Sequence, residues 1–215
     1  MSIDVIVSGA AHSVEPGTTA ADLLGGDRSV LAARVNGELK DLDYVVHAGD
    51  DVTPVLADEP EGLAVLRHSC AHVMAQAVQD LFPQAKLGIG PPVKDGFYYD
   101  FMVSQPFVPE DLTRIEKKML EILKSGQSFH RRIVTEDEAH RELAGEPFKI
   151  ELIGKKGGNS DEIMETGGAD LTVYDNVDRK GAVCWSDLCR GPHVPNTKYI
   201  PPNAVKLMRT AAVYW

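Results

Sequence analysis

Cysteine is scarce in this 215-residue sequence, basic residues are outnumbered, and no long apolar run occurs. Three cysteines, an odd number, argue against a disulfide framework and fit a reducing cytoplasm. Nothing approaches the roughly 20 consecutive apolar residues of a membrane helix, so no membrane partner is expected. Met1-Ser-Ile-Asp-Val has neither a basic lead nor a continuous apolar core, so a secretory leader is not expected either. There is no internal repeat and no low-complexity tract. A phosphate-binding glycine loop is also missing, which leaves a nucleotide-sensing role without support.

The net charge of −10 runs against a nucleic-acid partner, because phosphates favour basic surfaces. The charge is uneven, however. Residues 1–60 hold three basic residues, Arg28, Arg34 and Lys40, against eleven acidic ones, so the remaining 155 residues carry only −2. Lys117-Lys118, His130-Arg131-Arg132 and Lys155-Lys156 are local basic patches there. Each by itself reads as solvated surface, so composition permits an RNA partner without pointing to one.

The first sixty residues read as a small α+β unit. Ile3, Val5 and Val7 form an alternating strand, Gly9 a turn, and His12-Ser-Val a return strand. Thr18 or Thr19 caps a short helix that Gly25-Gly26 ends. Asn36-Gly37 marks a tight hairpin, and Val52–Val55 closes the unit as a strand that Pro54 places at a sheet edge. Asp58-Glu-Pro-Glu-Gly62 is acidic and broken by Pro and Gly, so the domain boundary falls there, giving domains 1–60 and 61–215.

The second domain also reads as α+β. A helix is predicted from Leu63 to about Leu81, then strand and turn from Lys86 to Phe101. A second helix covers Glu110–Lys124 with the apolar stripe Leu112, Ile115, Met119, Ile122 and Leu123, ended by Gly126. Thr135-x-x-Glu138 is a capping box for a third helix reaching Leu143. From Phe148 onward the pattern is strands and loops, with an exposed glycine-rich stretch around Gly157-Gly158 and Gly167-Gly168.

Two segments carry chemistry. In Arg67-His68-Ser-Cys-Ala-His72 the histidines stand four apart on a predicted helix and project from one face, while Cys70 points towards the core. In Asp187-Leu-Cys-Arg-Gly-Pro-His193, Cys189 and His193 are also four apart, but Gly191-Pro192 favours a turn over a helix. Three histidines and a cysteine are a ligand set for tetrahedral zinc. They serve equally to hold a water for ester hydrolysis, with imidazole as base. A lone His pair or lone Cys arises by chance and packs as core, whereas two such segments in one domain favour a site. Lys149 is a third element: near a site it would orient water or stabilise an oxyanion, although on its own it reads as an exposed strand lysine. Tyr98 and Tyr99 alternate across a strand, so one is core and the other offers a hydroxyl, and the pattern does not choose between them.

His68-Ser-Cys-Ala-His72, Gly96-Phe-Tyr-Tyr-Asp100, Asp187-Leu-Cys-Arg-Gly-Pro-His193 and Lys206-Leu-Met-Arg-Thr-Ala-Ala-Val-Tyr-Trp215 together resemble the bacterial threonyl-tRNA synthetases, in family order across essentially the whole chain. Residues 1–60, with Arg34-Val-Asn-Gly-Glu-Leu-Lys-Asp-Leu42, resemble the ubiquitin-like β-grasp domain called TGS. Residues 61–215 resemble the editing domain that alanyl-tRNA synthetases share in related form. The resemblance implies a cytoplasmic aminoacyl-tRNA deacylase that removes serine wrongly esterified to threonine tRNA.

On that resemblance, His68 and Lys149 handle the attacking water, and Asp187 and Tyr99 recognise serine. His72, Cys189 and His193 line the pocket. The partner implied is a tRNA acceptor end carrying serine. In alanyl relatives the set matching His68, His72, Cys189 and His193 holds zinc, whereas the threonyl relatives imply no metal cofactor, which is the expectation adopted. A zinc-dependent deacylase and a non-catalytic RNA-binding module are the alternatives. The family's aminoacylation core and anticodon-binding domain are expected to lie beyond Trp215, so this stretch should not activate threonine.

Overall fold

A computed structural model describes residues 1–154 and 170–211. The glycine-rich stretch expected around residues 157–168, and the Lys155-Lys156 patch, lie outside the described residues. The fold is α+β, and the chain forms two compact units. One is Met1–Leu66 together with Pro192–Pro195. The other is Arg67–Gly191 together with the residues from Asn196 on.

The first unit is a five-stranded mixed sheet. Its elements are β1 (Ile3–Val7), β2 (Ala10–Val14), α1 (Ala20–Leu24), β3 (Val30–Val35), β4 (Glu38–Lys40) and β5 (Asp51–Leu56). The order is β2-β1-β5-β3-β4, with β1 and β5 parallel and the other pairs antiparallel, the arrangement expected of a β-grasp. Asn36 and Gly37 both take positive φ (52° and 87°), as a two-residue hairpin turn requires. Thr19 caps α1 in a reciprocal box with Asp22. Val5, Ala20, Val30, Ala33, Val35 and Val52 are buried together as the core.

Pro54 is not on an edge strand. β5 lies between β1 and β3, and Pro54 faces Ala33 of β3. The position tolerates proline because pairing with β1 stops at Val52, so no ladder bond is missing on that flank beyond it.

Helix α2 (Pro60–Leu81) begins three residues before the predicted Leu63, with proline in its first turn, where a missing N–H costs nothing. All residues from His68 to Val78 are buried, so this stretch of the helix has no solvent face. The segment after it makes two small antiparallel pairs. β6 (Lys86–Leu87) pairs with β9 (Phe101–Met102), and β7 (Pro92–Val93) pairs with β8 (Gly96–Phe97).

Helix α3 (Pro109–Ser125) buries Ile115, Met119, Ile122 and Leu123 and ends on left-handed Gly126, as its stripe predicts. β10 (Ser128–Val134) is followed by α4 (Glu136–Glu142), capped by Thr135 and Glu138. Then come α5 (Pro147–Gly154), β11 (Leu171–Val177) and β12 (Val183–Leu188). β10, β11 and β12 form an antiparallel sheet in that order, and α4 and α5 bury Ala139, Leu143 and Ile153 with Val134, Val173 and Leu188 of it.

α5 replaces the strand expected after Phe148. Phe148-Lys-Ile-Glu-Leu152 alternates apolar and polar residues and mimics a strand period, but Pro147 opens a helix there and tertiary packing overrides the alternation. Among the described residues no helix is long and apolar enough to cross a membrane.

Candidate active site

The second unit brings α2, α5, the end of β12 and the turn after β8 to one place. Lys149, expected as an exposed strand residue, sits on α5 with 0% exposure. Its ammonium lies 3.2 Å from Asp187 Oδ1 at the end of β12 and donates to the Leu188 carbonyl at 3.3 Å. Asp187 is itself buried, and its other oxygen accepts from the Tyr99 hydroxyl at 2.5 Å. The Lys149 ammonium also lies 5.5 Å from the centre of the Tyr99 ring. A cation, an anion and a phenol thus share one desolvated cluster, in which each neutralises or orients another.

Tyr99 is the tyrosine that presents its hydroxyl, half-buried and stacked on Phe101 at 4.9 Å. Tyr98 is exposed and not core, and it lies just past the two-residue strand Gly96–Phe97. Gly90 explains the seat of Tyr99. A Cβ at Gly90 would stand 2.2 Å from Cδ2 of the ring, so only glycine lets the ring lie there.

Two residues past Asp187, Cys189 Sγ meets His68 Nε2 of α2 at 3.2 Å and accepts from the Gly191 N–H at 3.3 Å. Cys189 is held at its backbone by Thr172, whose carbonyl accepts from the Cys189 N–H (3.0 Å) and whose hydroxyl donates to the Cys189 carbonyl (2.5 Å). Gly191 makes the expected turn. It has φ +74°, and a Cβ there would lie 1.8 Å from the Tyr174 hydroxyl oxygen.

His68 and Cys189 of the second unit, and His193 of the segment Pro192–Pro195, are all buried. Two imidazoles and a thiol are zinc-type donors in kind. His72 is packed among rings. Although it shares the helix face of His68, its ring lies edge-on to Trp185 (4.7 Å), Phe129 (5.5 Å) and Tyr174 (6.4 Å). Burial first, then neighbouring His68 and the Lys149 ammonium, lower its proton affinity well below the usual histidine range, so it is neutral. Cys70 is buried as expected, and burial pushes its thiol up to about 12.

The basic patches are partly neutralised. Arg132 forks onto Asp175 and Glu142, and Lys118 pairs with Asp80. Thr172 and Tyr174 were not singled out from sequence, and Gly90 and Gly191 only as turn residues. The glycines carried a signal, since each stands beside a proline at a turn. Thr172 and Tyr174 sit in an ordinary strand pattern and carried none.

Residues 171–214, which include Asp187, Cys189 and His193, match the family described as threonyl and alanyl tRNA synthetase second additional domain. A threonine–tRNA ligase of Streptomyces avermitilis is 63% identical over 206 residues, 94% of this chain and 31% of the relative. The chain's relatives are threonine–tRNA ligases. Those of Thermobifida fusca (56% identical, 98% of this chain, 33% of the relative) and Bifidobacterium longum (53% identical, 100% of this chain, 32% of the relative) agree. The chain spans about a third of the length of these threonine–tRNA ligases.

Proposed function

We propose that this chain is the proofreading portion of a threonyl-tRNA synthetase, acting in the cytoplasm on serine-mischarged threonine tRNA. In this reading residues 1–60 are a TGS-like domain and residues 61–215 the editing domain. The observation that carries it is the buried Lys149–Asp187–Tyr99 cluster two residues from the Cys189–His68 contact. Such a cluster can hold a small amino acid and a water together.

The ester joining serine to the terminal ribose is cleaved by water. Its oxygen bonds to the carbonyl carbon while His68 takes its proton. The Lys149 ammonium faces the negative charge that develops on the carbonyl oxygen. When the tetrahedral intermediate collapses, the C–O bond to ribose breaks and the ribose hydroxyl recovers a proton, leaving serine and uncharged tRNA. Asp187 takes the serine ammonium, Tyr99 the serine side, and His72, Cys189 and His193 line the pocket. Serine and threonine differ by one methyl group, worth only about 1–3 kcal/mol of discrimination in a synthetic site. A second site with no room for that methyl supplies the remainder.

The competing zinc-dependent reading rests on the donor types of His68, Cys189 and His193, two imidazoles and a thiol, which fit a metal in kind. Zinc bound there would supply an activated water in place of the one His68 deprotonates. Hydrolysis of a short seryl-adenosine ester, measured with and without chelator, tests both readings. Chelator-resistant hydrolysis that Lys149→Met abolishes supports the proposal. Chelator-sensitive hydrolysis gives the metal reading, and an unhydrolysed ester leaves a non-catalytic RNA-binding module.

A further inference from the structure

Arg131 stands beside the candidate site on the same sheet face. Arg131, Tyr174 and Asp187 are paired across β10, β11 and β12, so they form one row across the sheet. The rows on either side of it along this face are Ile133–Thr172 and Phe129–Asn176–Trp185. Phe129, two residues before Arg131, packs edge-on to His72 at 5.5 Å, which marks this as the face turned to α2. Adjacent strands lie about 5 Å apart, so the backbone of Arg131 is roughly 10 Å from that of Asp187.

Arg190 reaches the same place from the turn after β12. Tyr174 is fully buried, and its hydroxyl donates to the Arg190 carbonyl at 3.5 Å. Gly191 lies so close to that hydroxyl that it has no room for a Cβ. Tyr174 is therefore the common neighbour of both arginines, with Arg131 beside it in the sheet and Arg190 at its hydroxyl.

Both arginines are exposed, and among the described residues neither takes part in an ion pair. Arg132, on the opposite sheet face, is held instead by Asp175 and Glu142. The only acid in the three rows is Asp187, and the Lys149 ammonium balances it. Two uncommitted guanidinium groups thus border the buried cluster, with no unpaired carboxylate in those rows to answer them. Next to Arg131 on the same face, Ile133 is 64% exposed. A planar cation beside an apolar side chain matches a nucleotide, whose phosphate takes the fork of N–H donors while its base lies on the apolar surface.

We infer that Arg131 and Arg190 form a phosphate clamp at the rim of the candidate site, gripping the backbone of an RNA 3′ end and so placing its terminal ester at the Lys149–Asp187–Tyr99 cluster. The identity of that ester rests on the function proposed above, whereas the RNA contact does not. A chain of net charge −10 holds a polyanion in this way because the attraction is concentrated where the ester must sit.

The test is binding of a fluorescein-labelled RNA with the 3′-terminal sequence of threonine tRNA to the full chain, followed by anisotropy over a range of salt. Arg131→Gln and Arg190→Gln are each expected to weaken binding about tenfold at low salt. Each should also reduce the slope of log affinity against log salt by about 0.7. Lys117→Gln removes the same charge from the exposed surface of α3 and is expected to do neither. Hydrolysis of seryl-adenosine, which has no phosphate, should keep its wild-type rate in both arginine variants, while KM for serine-charged tRNA rises and kcat is kept. RNA affinity that responds no more to the arginine variants than to Lys117→Gln would overturn the inference, as would a wild type that does not bind the RNA. Slower seryl-adenosine hydrolysis in the variants would overturn it too, by placing the arginines in the pocket. If the wild type cleaves neither ester yet binds the RNA through both arginines, the hydrolytic reading fails and the clamp stands.

Discussion

Lys149 and Asp187 form an ion pair with almost no solvent contact, at 3.2 Å, between a helix and the end of a strand 38 residues further along the chain. A buried pair is a weak source of net stability, but removing one member strands the other as an uncompensated charge. Lys149→Met is therefore expected to cost about 3–5 kcal/mol. The double variant Lys149→Met/Asp187→Leu should recover much of that. Urea unfolding of the four proteins in this cycle checks both statements, and both variants should lack deacylase activity.

Gly90 tests whether Tyr99 must lie where it does. Gly90→Ala drives a methyl into the ring, so the Tyr99 hydroxyl must leave Asp187. A stability loss of about 1–3 kcal/mol is expected from the forced contact. Seryl-ester hydrolysis should fall further than in Tyr99→Phe, which loses the hydroxyl but leaves the ring in place. Steady-state kinetics of the two variants decide the order.

Burial of neutral His72 makes stability depend on pH in one direction. Its folded proton affinity lies below that of the unfolded chain, so its contribution is fully present above the unfolded histidine value, about 6.5. As pH falls below that value the unfolded state takes the proton first, and stability declines by up to about 1.4 kcal/mol per pH unit from this group. His72→Gln should flatten the decline between pH 6.5 and 5. Denaturation midpoints across that range measure it.

The three cysteines should separate by exposure. Cys184 is exposed, whereas Cys70 and Cys189 are buried, and Cys70 is held as a thiol by its raised pKa of about 12. Alkylation of the native protein is expected to mark Cys184 first, and Cys70 only after unfolding. Peptide mass spectrometry after a short iodoacetamide pulse reads the order directly.

Much of the fold is legible where local chemistry and tertiary packing agree. Asn36-Gly37 turns as its φ preferences dictate, Thr19 and Thr135 cap the helices they precede, and the stripe Ile115–Met119–Ile122 faces inward. Legibility failed where packing overrode pattern. Phe148-Lys-Ile-Glu-Leu152 has a strand period but forms a helix, and its lysine is buried because Asp187, distant in sequence, meets it. Pro54 suggests an edge only to a reading that does not know β1 ends early. Within the candidate site, the helical spacing of His68 and His72 correctly puts them on one helix, but spacing does not tell that one meets a thiol and the other a tryptophan. Those partners come from β12 and the residue just after it, more than a hundred residues later, and nothing in the local sequence points to them.

The most direct test of the account is single-turnover ester loss from serine-charged and threonine-charged threonine tRNA, each incubated with the intact chain. The account predicts rapid loss of serine, retention of threonine, and no loss of serine with His68→Ala. Equal hydrolysis of both esters, or serine loss that survives His68→Ala, would contradict it.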